Sequence, residues 1–143
     1  MLASSDIVQQ LIPQKNPMVM VDTLIRHEDQ QSITGFCIQD NNLFTEHGYF
    51  SAEGLLENMA QSAALRTGWI ARQENTGDGD FSPPRGVIGA IKNFMVYQLP
   101  KSNTCITTTI VIQAEVMNAT MISGRIMQDQ VLIAEGELKI FLQ

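Results

Sequence analysis

The sequence predicts an α+β fold, in which one long central helix is wrapped by an antiparallel sheet of about six strands. Three observations carry this. Residues 51–73 read as a single helix that is apolar or small over most of its girth, as a core helix is. Beyond residue 86 the pattern changes to a two-residue alternation typical of half-buried antiparallel sheet. Two β-branched, apolar runs precede the helix.

In chain order, "MVMVDTLI" (18–25) follows Pro17 and reads as a strand, with "QSITGFCIQ" (31–39) as its hairpin partner across "RHEDQ". The helix opens at Ser51, a suitable N-cap, with Glu53 in the first turn complementing the dipole. Its wheel predicts an apolar stripe of Leu56, Met59, Ala60, Ala63, Thr67, Ile70 and Ala71. A narrower stripe of Glu57, Gln61, Ala64 and Gly68 has small residues that would let the sheet wrap closely. "ENTGDGDFSPPRG" (74–86), dense in Gly, Asp and Pro, is a loop. Four strands follow: 86–98, 105–116, 119–127 and a last one carrying Leu138, Ile140 and Leu142. In 105–116, Ile106, Thr108, Ile110 and Ile112 share one side, with Thr107, Thr109, Gln113 and Glu115 on the other.

A chain of 143 residues, 44% of them hydrophobic, reads as a single domain spanning 1–143. No apolar run approaches the roughly 18 residues of a membrane span, and the first residues lack a basic cluster followed by a long apolar run, so no secretory signal is expected. A cytoplasmic location follows, and with it Cys37 and Cys105 as reduced thiols on strands. Without a CxxC or a His/Cys cluster, no metal site is expected. With no phosphate loop or nucleotide fingerprint, no cofactor is expected either. The net charge of −6 argues against a nucleic-acid surface.

The candidate chemistry sits in "NLFTEHGYFSAEGLLENMAQSAAL" (42–65), which places His47 in a turn and Glu57 ten residues later on the helix. Glu57 reads either as an exposed first-turn glutamate or as a buried carboxyl that can serve as a general acid, with Gln61 one turn on to hydrogen-bond it. A lone histidine is usually structural, but His47 is the complementary base if Glu57 is an acid. His27, in the "RHEDQ" turn, reads as solvated, as does Arg66 on the helix; Trp69 reads as core or interface.

Several stretches carry a resemblance. "LIPQKNPMVMVDTLI" (11–25) resembles the opening of the hot-dog-fold β-hydroxyacyl-acyl-carrier-protein dehydratases, with Leu11, Pro13, Pro17, Val21 and Asp22 matching. "NNLFTEHGYF" resembles their histidine segment, with His47 at the catalytic position, although Gly48-Tyr49 stands where Phe-Pro is usual and the loop to the helix is shorter. "LLENMAQSAA" resembles their helix motif, placing Glu57 at the catalytic carboxylate and Gln61 beside it, with Asn58 in place of alanine. "GAIKNFMVYQLP" (89–100) resembles a later strand. The pattern F-x-E-x-G-x5-G-L-x-E-N-x-A-Q is most similar to the dehydratase-like proteins of aryl-polyene and flexirubin pigment clusters.

The resemblance implies a hot-dog fold and dehydration of a 3-hydroxyacyl-acyl-carrier-protein thioester to the trans-2-enoyl thioester, in fatty-acid or polyene biosynthesis. It implies a site shared across a dimer, with His47 and Glu57 catalytic, Gly54, Gln61 and Tyr49 binding substrate, and methionines among the pocket lining. The expected partners are an acyl carrier protein, docked on Arg85, Lys92 and Lys101, and a second copy or another dehydratase subunit. A non-catalytic partner subunit of an active dehydratase, an acyl thioesterase on the same fold, and an acyl-binding module are the competing readings.

Overall fold

The computed structural model describes residues 1–75 and 80–143. Part of the loop expected over 74–86 lies outside the described residues; 80–85 carry no regular structure. The order is α1 (Ser5–Leu11), β1 (Thr23–His27), β2 (Gln31–Cys37), β3 (Thr45–Glu46), β4 (Tyr49–Phe50), α2 (Ala52–Glu74), β5 (Gly86–Val96), β6 (Cys105–Val116), β7 (Ala119–Gln128) and β8 (Val131–Leu142). Six strands form one antiparallel sheet in the order β1-β2-β6-β7-β8-β5, and β3-β4 is a separate small hairpin. The α+β expectation holds: α2 packs on this sheet through Leu55 and Met59, against Ile110, Ile122, Ile126 and Leu138.

Three expectations about the elements change. The run 18–25 is a strand only from Thr23. Met18 and Met20 instead spend backbone groups on α2 side chains: Gln61 Nε2 donates to the Met18 carbonyl, and the Met20 N–H donates to Gln61 Oε1. The short helix α1 was not anticipated. It buries Val8 and Leu11, which with Ala3, Ile12, Val21, Leu24 and Leu65 form a second core, flanked by the half-buried Trp69. The main buried line of α2 is also rotated from the predicted stripe. Leu55, Met59, Ala63 and Leu65 are buried together with the polar Asn58, Gln61, Ser62 and Arg66, whereas Leu56, Ala60, Thr67, Ile70 and Ala71 are half-buried. Apolarity alone therefore misplaces the face, because polar side chains that find partners are buried too. The narrow stripe does allow close approach, but to the chain N-terminal of β1 and not to the sheet: a Cβ on Gly68 would lie 1.9 Å from the Leu11 carbonyl oxygen.

Arg66 and His27 are not solvated. Arg66 is 5% exposed. Its Nη1 donates to the Glu28 carbonyl at 2.9 Å and to Ser32 Oγ at 2.8 Å, its Nη2 donates to the Asp29 carbonyl, and Nη1 lies 3.3 Å from His27 Nδ1. The guanidinium thus closes the β1-β2 turn onto the helix, adding its bonds to the Glu28 and Asp29 carbonyls. Burial and the neighbouring positive charge of Arg66 hold the His27 imidazole below its ordinary pKa of 6.5, against a smaller opposing pull from Asp29.

Cys37 and Cys105 are not free thiols; they are joined in a disulfide. They are directly opposed residues of β2 and β6, which brings their side chains together on one face. Their strand register, which decides this, is invisible to an argument from export signals. No described helix is long and apolar enough to cross a membrane.

Arg66→Ala should cost about 1–3 kcal/mol in urea denaturation, since it removes a buried side chain and its charge-assisted hydrogen bonds to Glu28, Asp29 and Ser32. His27 binds its proton less readily folded than unfolded, so the unfolded state takes up more protons between the two pKa values. Stability is therefore expected to fall as pH drops through 6.5 towards the folded value, and to level off below it. Melting temperatures of wild type and His27→Gln across that window check this; the variant should lack that component of the fall. Replacing both cysteines by alanine, which opens a 68-residue separation in the unfolded chain, should lower stability by about 2–4 kcal/mol.

Candidate active site

The β3-β4 hairpin and the start of α2 form one unit. Glu46 pairs with Tyr49, leaving His47-Gly48 as a two-residue turn with φ of 53° and 84°. Positive φ at both positions gives a turn whose twist suits a hairpin, which is why glycine occupies the second. The turn projects His47 into solvent, at the rim of a cavity of about 340 Å³ lined also by Tyr49, Ser51, Ala52 and Glu53. Tyr49 is 43% exposed and stands between this cavity and a neighbouring one that holds Lys101, to which it is bridged through the backbone.

Ser51 caps the helix as expected, its Oγ accepting from the Gly54 N–H at 3.2 Å. Gly54 is buried, and a Cβ there would lie 2.6 Å from the Phe50 ring and 2.9 Å from Phe44 Cβ. The missing side chain is thus accounted for by the packing of two phenylalanines, and the Gly54 N–H is already engaged. The first-turn N–H groups of Ala52 and Glu53 have no intrahelical acceptor.

Glu57 is half-buried, in the wall of a slot of about 350 Å³ between α2 and the sheet. Ala60, Ala63, Ala64 and Thr67 form the helix side of this slot; Val87, Ile88, Ile112, Ile122 and Ile140 form much of the sheet side. Gln61 Nε2 donates to Glu57 Oε1 at 2.7 Å. The orientation of that amide is fixed, because its oxygen accepts the Met20 N–H at 2.6 Å and its nitrogen also donates to the Met18 carbonyl at 2.7 Å. Asn58 reinforces the same segment: its Nδ2 donates to the Met20 carbonyl at 2.7 Å, and its Oδ1 accepts from Thr108 Oγ1 at 2.6 Å. The asparagine that departs from the dehydratase pattern thus ties α2 to both the 18–20 segment and β6. Asn58 and its clamp were missed as functional candidates; the substitution for alanine was the available signal.

Within one chain the structure brings Gln61 to Glu57 but places His47 and Glu57 on different cavities. Arg85, Lys92 and Lys101 are exposed, but strung along β5 rather than gathered: Arg85 precedes the strand near the slot, Lys92 lies mid-strand with Glu137 as its cross-strand partner, and Lys101 follows at the Tyr49 end. β5, whose eleven residues extend over about 35 Å, lies between Arg85 and Lys101 in the chain. Among the described residues no cluster of His, Cys, Asp or Glu is arranged to hold a metal.

Similarity to known proteins agrees with this architecture. The fold is shared with a chain of the dehydratase heterocomplex ApeI:P from Xenorhabdus doucetiae, at a TM-score of 0.83 and 15% identity over 95% of this chain and 90% of that one. An uncharacterized protein from Pyrococcus horikoshii matches at a TM-score of 0.68 and 11% identity, covering 94% of this chain and 92% of that one. A hypothetical thioesterase with coenzyme A from Streptococcus pneumoniae matches at 0.65 and 11%, covering 85% and 87%. These likenesses establish the hot-dog fold that the motifs implied. No curated protein matches in sequence. The profile of the ApeP-like family, described as ApeP dehydratase, matches residues 7–143, so the chain belongs to the ApeP dehydratase family.

Proposed function

We propose that this protein dehydrates a 3-hydroxyacyl thioester, carried by an acyl carrier protein, to the trans-2-enoyl thioester in aryl-polyene biosynthesis. The observation that carries the reading is a carboxyl, Glu57, held by a pinned amide in the wall of an otherwise mainly apolar slot. His47 Nδ1 or Nε2 removes a proton from C2. Glu57 gives its proton to the C3 hydroxyl, which leaves as water while the C2–H electron pair forms the double bond. Gln61 donates to Oε1, so the transferable proton sits on Oε2. Negative charge developing on the thioester oxygen is met by first-turn N–H groups of α2; Ala52 and Glu53 suit this better than Gly54, whose N–H Ser51 holds.

Because His47 and Glu57 open onto different cavities of one chain, the reaction requires a second subunit to bring a histidine to one carboxyl. Exposed apolar residues along the edge strand β5, among them Val87, Ile91 and Met95, with Tyr97 just after it, suit such a contact. A neighbour named as a dehydratase heterocomplex supports a different subunit as the partner, which then supplies the histidine opposite Glu57 or the carboxyl opposite His47. It also favours a second reading, in which this chain is the non-catalytic member of the pair.

Mass spectrometry of 3-hydroxyacyl carrier-protein thioesters after incubation tests both readings. The first expects loss of water with the chain and its partner subunit, and at least a 100-fold loss of turnover for His47→Ala and for Glu57→Gln with folding retained. Full activity of a complex carrying both substitutions would establish the non-catalytic role, and hydrolysis without dehydration would point to thioesterase chemistry. Charge reversal at Arg85 and Lys92 should raise KM for carrier-protein substrates severalfold and leave small pantetheine thioesters unchanged; equal effects on both would place the carrier elsewhere.

A further inference from the structure

Most buried polar side chains of this protein are paired, including Asn58, Gln61, Ser62 and Arg66. Among the described residues, one buried side-chain polar atom lacks a hydrogen-bond partner: Oε1 of Gln14. Gln14 lines the same slot as Glu57. Its place along the slot follows from the chain on either side. Leu11 lies against Gly68, and Met18 is bonded by Gln61, so residues 11–18 run antiparallel to α2 and Gln14 falls beside the turn around Ala64. Ala64 is seven residues from Glu57, or about 10 Å along a helix.

We propose that Gln14 is a specificity-determining residue of the slot: its amide oxygen accepts a hydrogen bond from a hydroxyl or N–H carried by the acyl group about two helical turns beyond the carbon that reacts at Glu57. The inference rests on the slot being the acyl site. Turned to the slot, that oxygen is hydrated while the slot is empty and loses its water to an occupant. An alkyl chain packed against it displaces that water and leaves the oxygen unpaired, whereas a donor at the same depth replaces the lost bond. Discrimination of this kind is large, because a polar group in an apolar site rejects an occupant that cannot pair with it. Rotation about the last side-chain torsion of glutamine, which is soft, turns the oxygen to the slot. The occupant so selected is an acyl group with a polar end, not a plain fatty chain.

Binding, not turnover, tests this. Saturated acyl-pantetheine thioesters cannot be dehydrated, so they report on the slot whichever member of a complex is catalytic. Three series of increasing length, ending in hydroxyl, methyl ether or methyl, are titrated calorimetrically into the full chain with its partner subunit. The hydroxyl series should bind about tenfold more tightly than the other two at one chain length. Gln14→Leu should erase the difference and improve binding of the methyl series, while Gln14→Glu, which keeps an acceptor, should retain the preference. Equal binding of hydroxyl and methyl ends by the wild type would overturn the proposal, as would equal binding of hydroxyl and ether or a preference that survives in Gln14→Leu. A chain that binds none of the three would instead refute the acyl-slot reading beneath it.

Discussion

The rest of the structure depends on a buried amide clamp. Gln61 and Asn58, neighbours one turn apart on α2, hold the backbone of Met18 and Met20 with three hydrogen bonds. Those bonds replace the ladder that an 18–25 strand would have made, which is why β1 begins only at Thr23. They also orient the Gln61 amide so that its free N–H meets Glu57. Removing either amide would leave backbone groups buried and unpaired, a larger cost than the net gain of one bond. The path of residues 18–20 and the orientation of the Glu57 carboxyl in the slot wall are therefore set by the same few contacts.

Polar burial recurs along the helix. Ser62 shares a hydrogen bond of 2.7 Å with Thr34 on β2, and Arg66 gathers the β1-β2 turn. The buried polar side chains of α2 reach several parts of the surrounding chain: residues 18–20 for Asn58 and Gln61, β6 for Asn58, β2 for Ser62, and the β1-β2 turn for Arg66. Apolar contact supplies most of the drive to collapse, but it is non-directional. The directional bonds fix how the helix is rotated against the sheet, so the slot opens along Ala60, Ala63, Ala64 and Thr67.

The division between His47 and Glu57 follows from the same geometry. The hairpin turn, with two positive-φ residues, carries His47 outward just ahead of the helix, while Glu57 is turned towards the slot one and a half turns further on. A short connection cannot bring them to one cavity within a chain. In the proposed reaction a neighbouring subunit brings the two groups together, and the β5 edge, which exposes a run of apolar side chains, suits such a contact.

By itself the sequence determined the helix and its cap, the four alternating strands after it and the hairpin β1-β2 in outline, because period and capping are local properties. The motif around Glu57 was legible for the same reason, since residues four apart on a helix are neighbours and Gln61 had to lie beside it. What only the tertiary structure decided were contacts between residues far apart in the chain. Cys37 meets Cys105 through strand register, Arg66 meets the turn carbonyls across a separation of 38 residues, and Gln14 joins the wall of a slot whose other walls lie beyond residue 56. Such contacts depend on how the helix is rotated and which strands adjoin. No local pattern encodes either, because burial of polar groups is permitted wherever a partner exists and is costly wherever one does not.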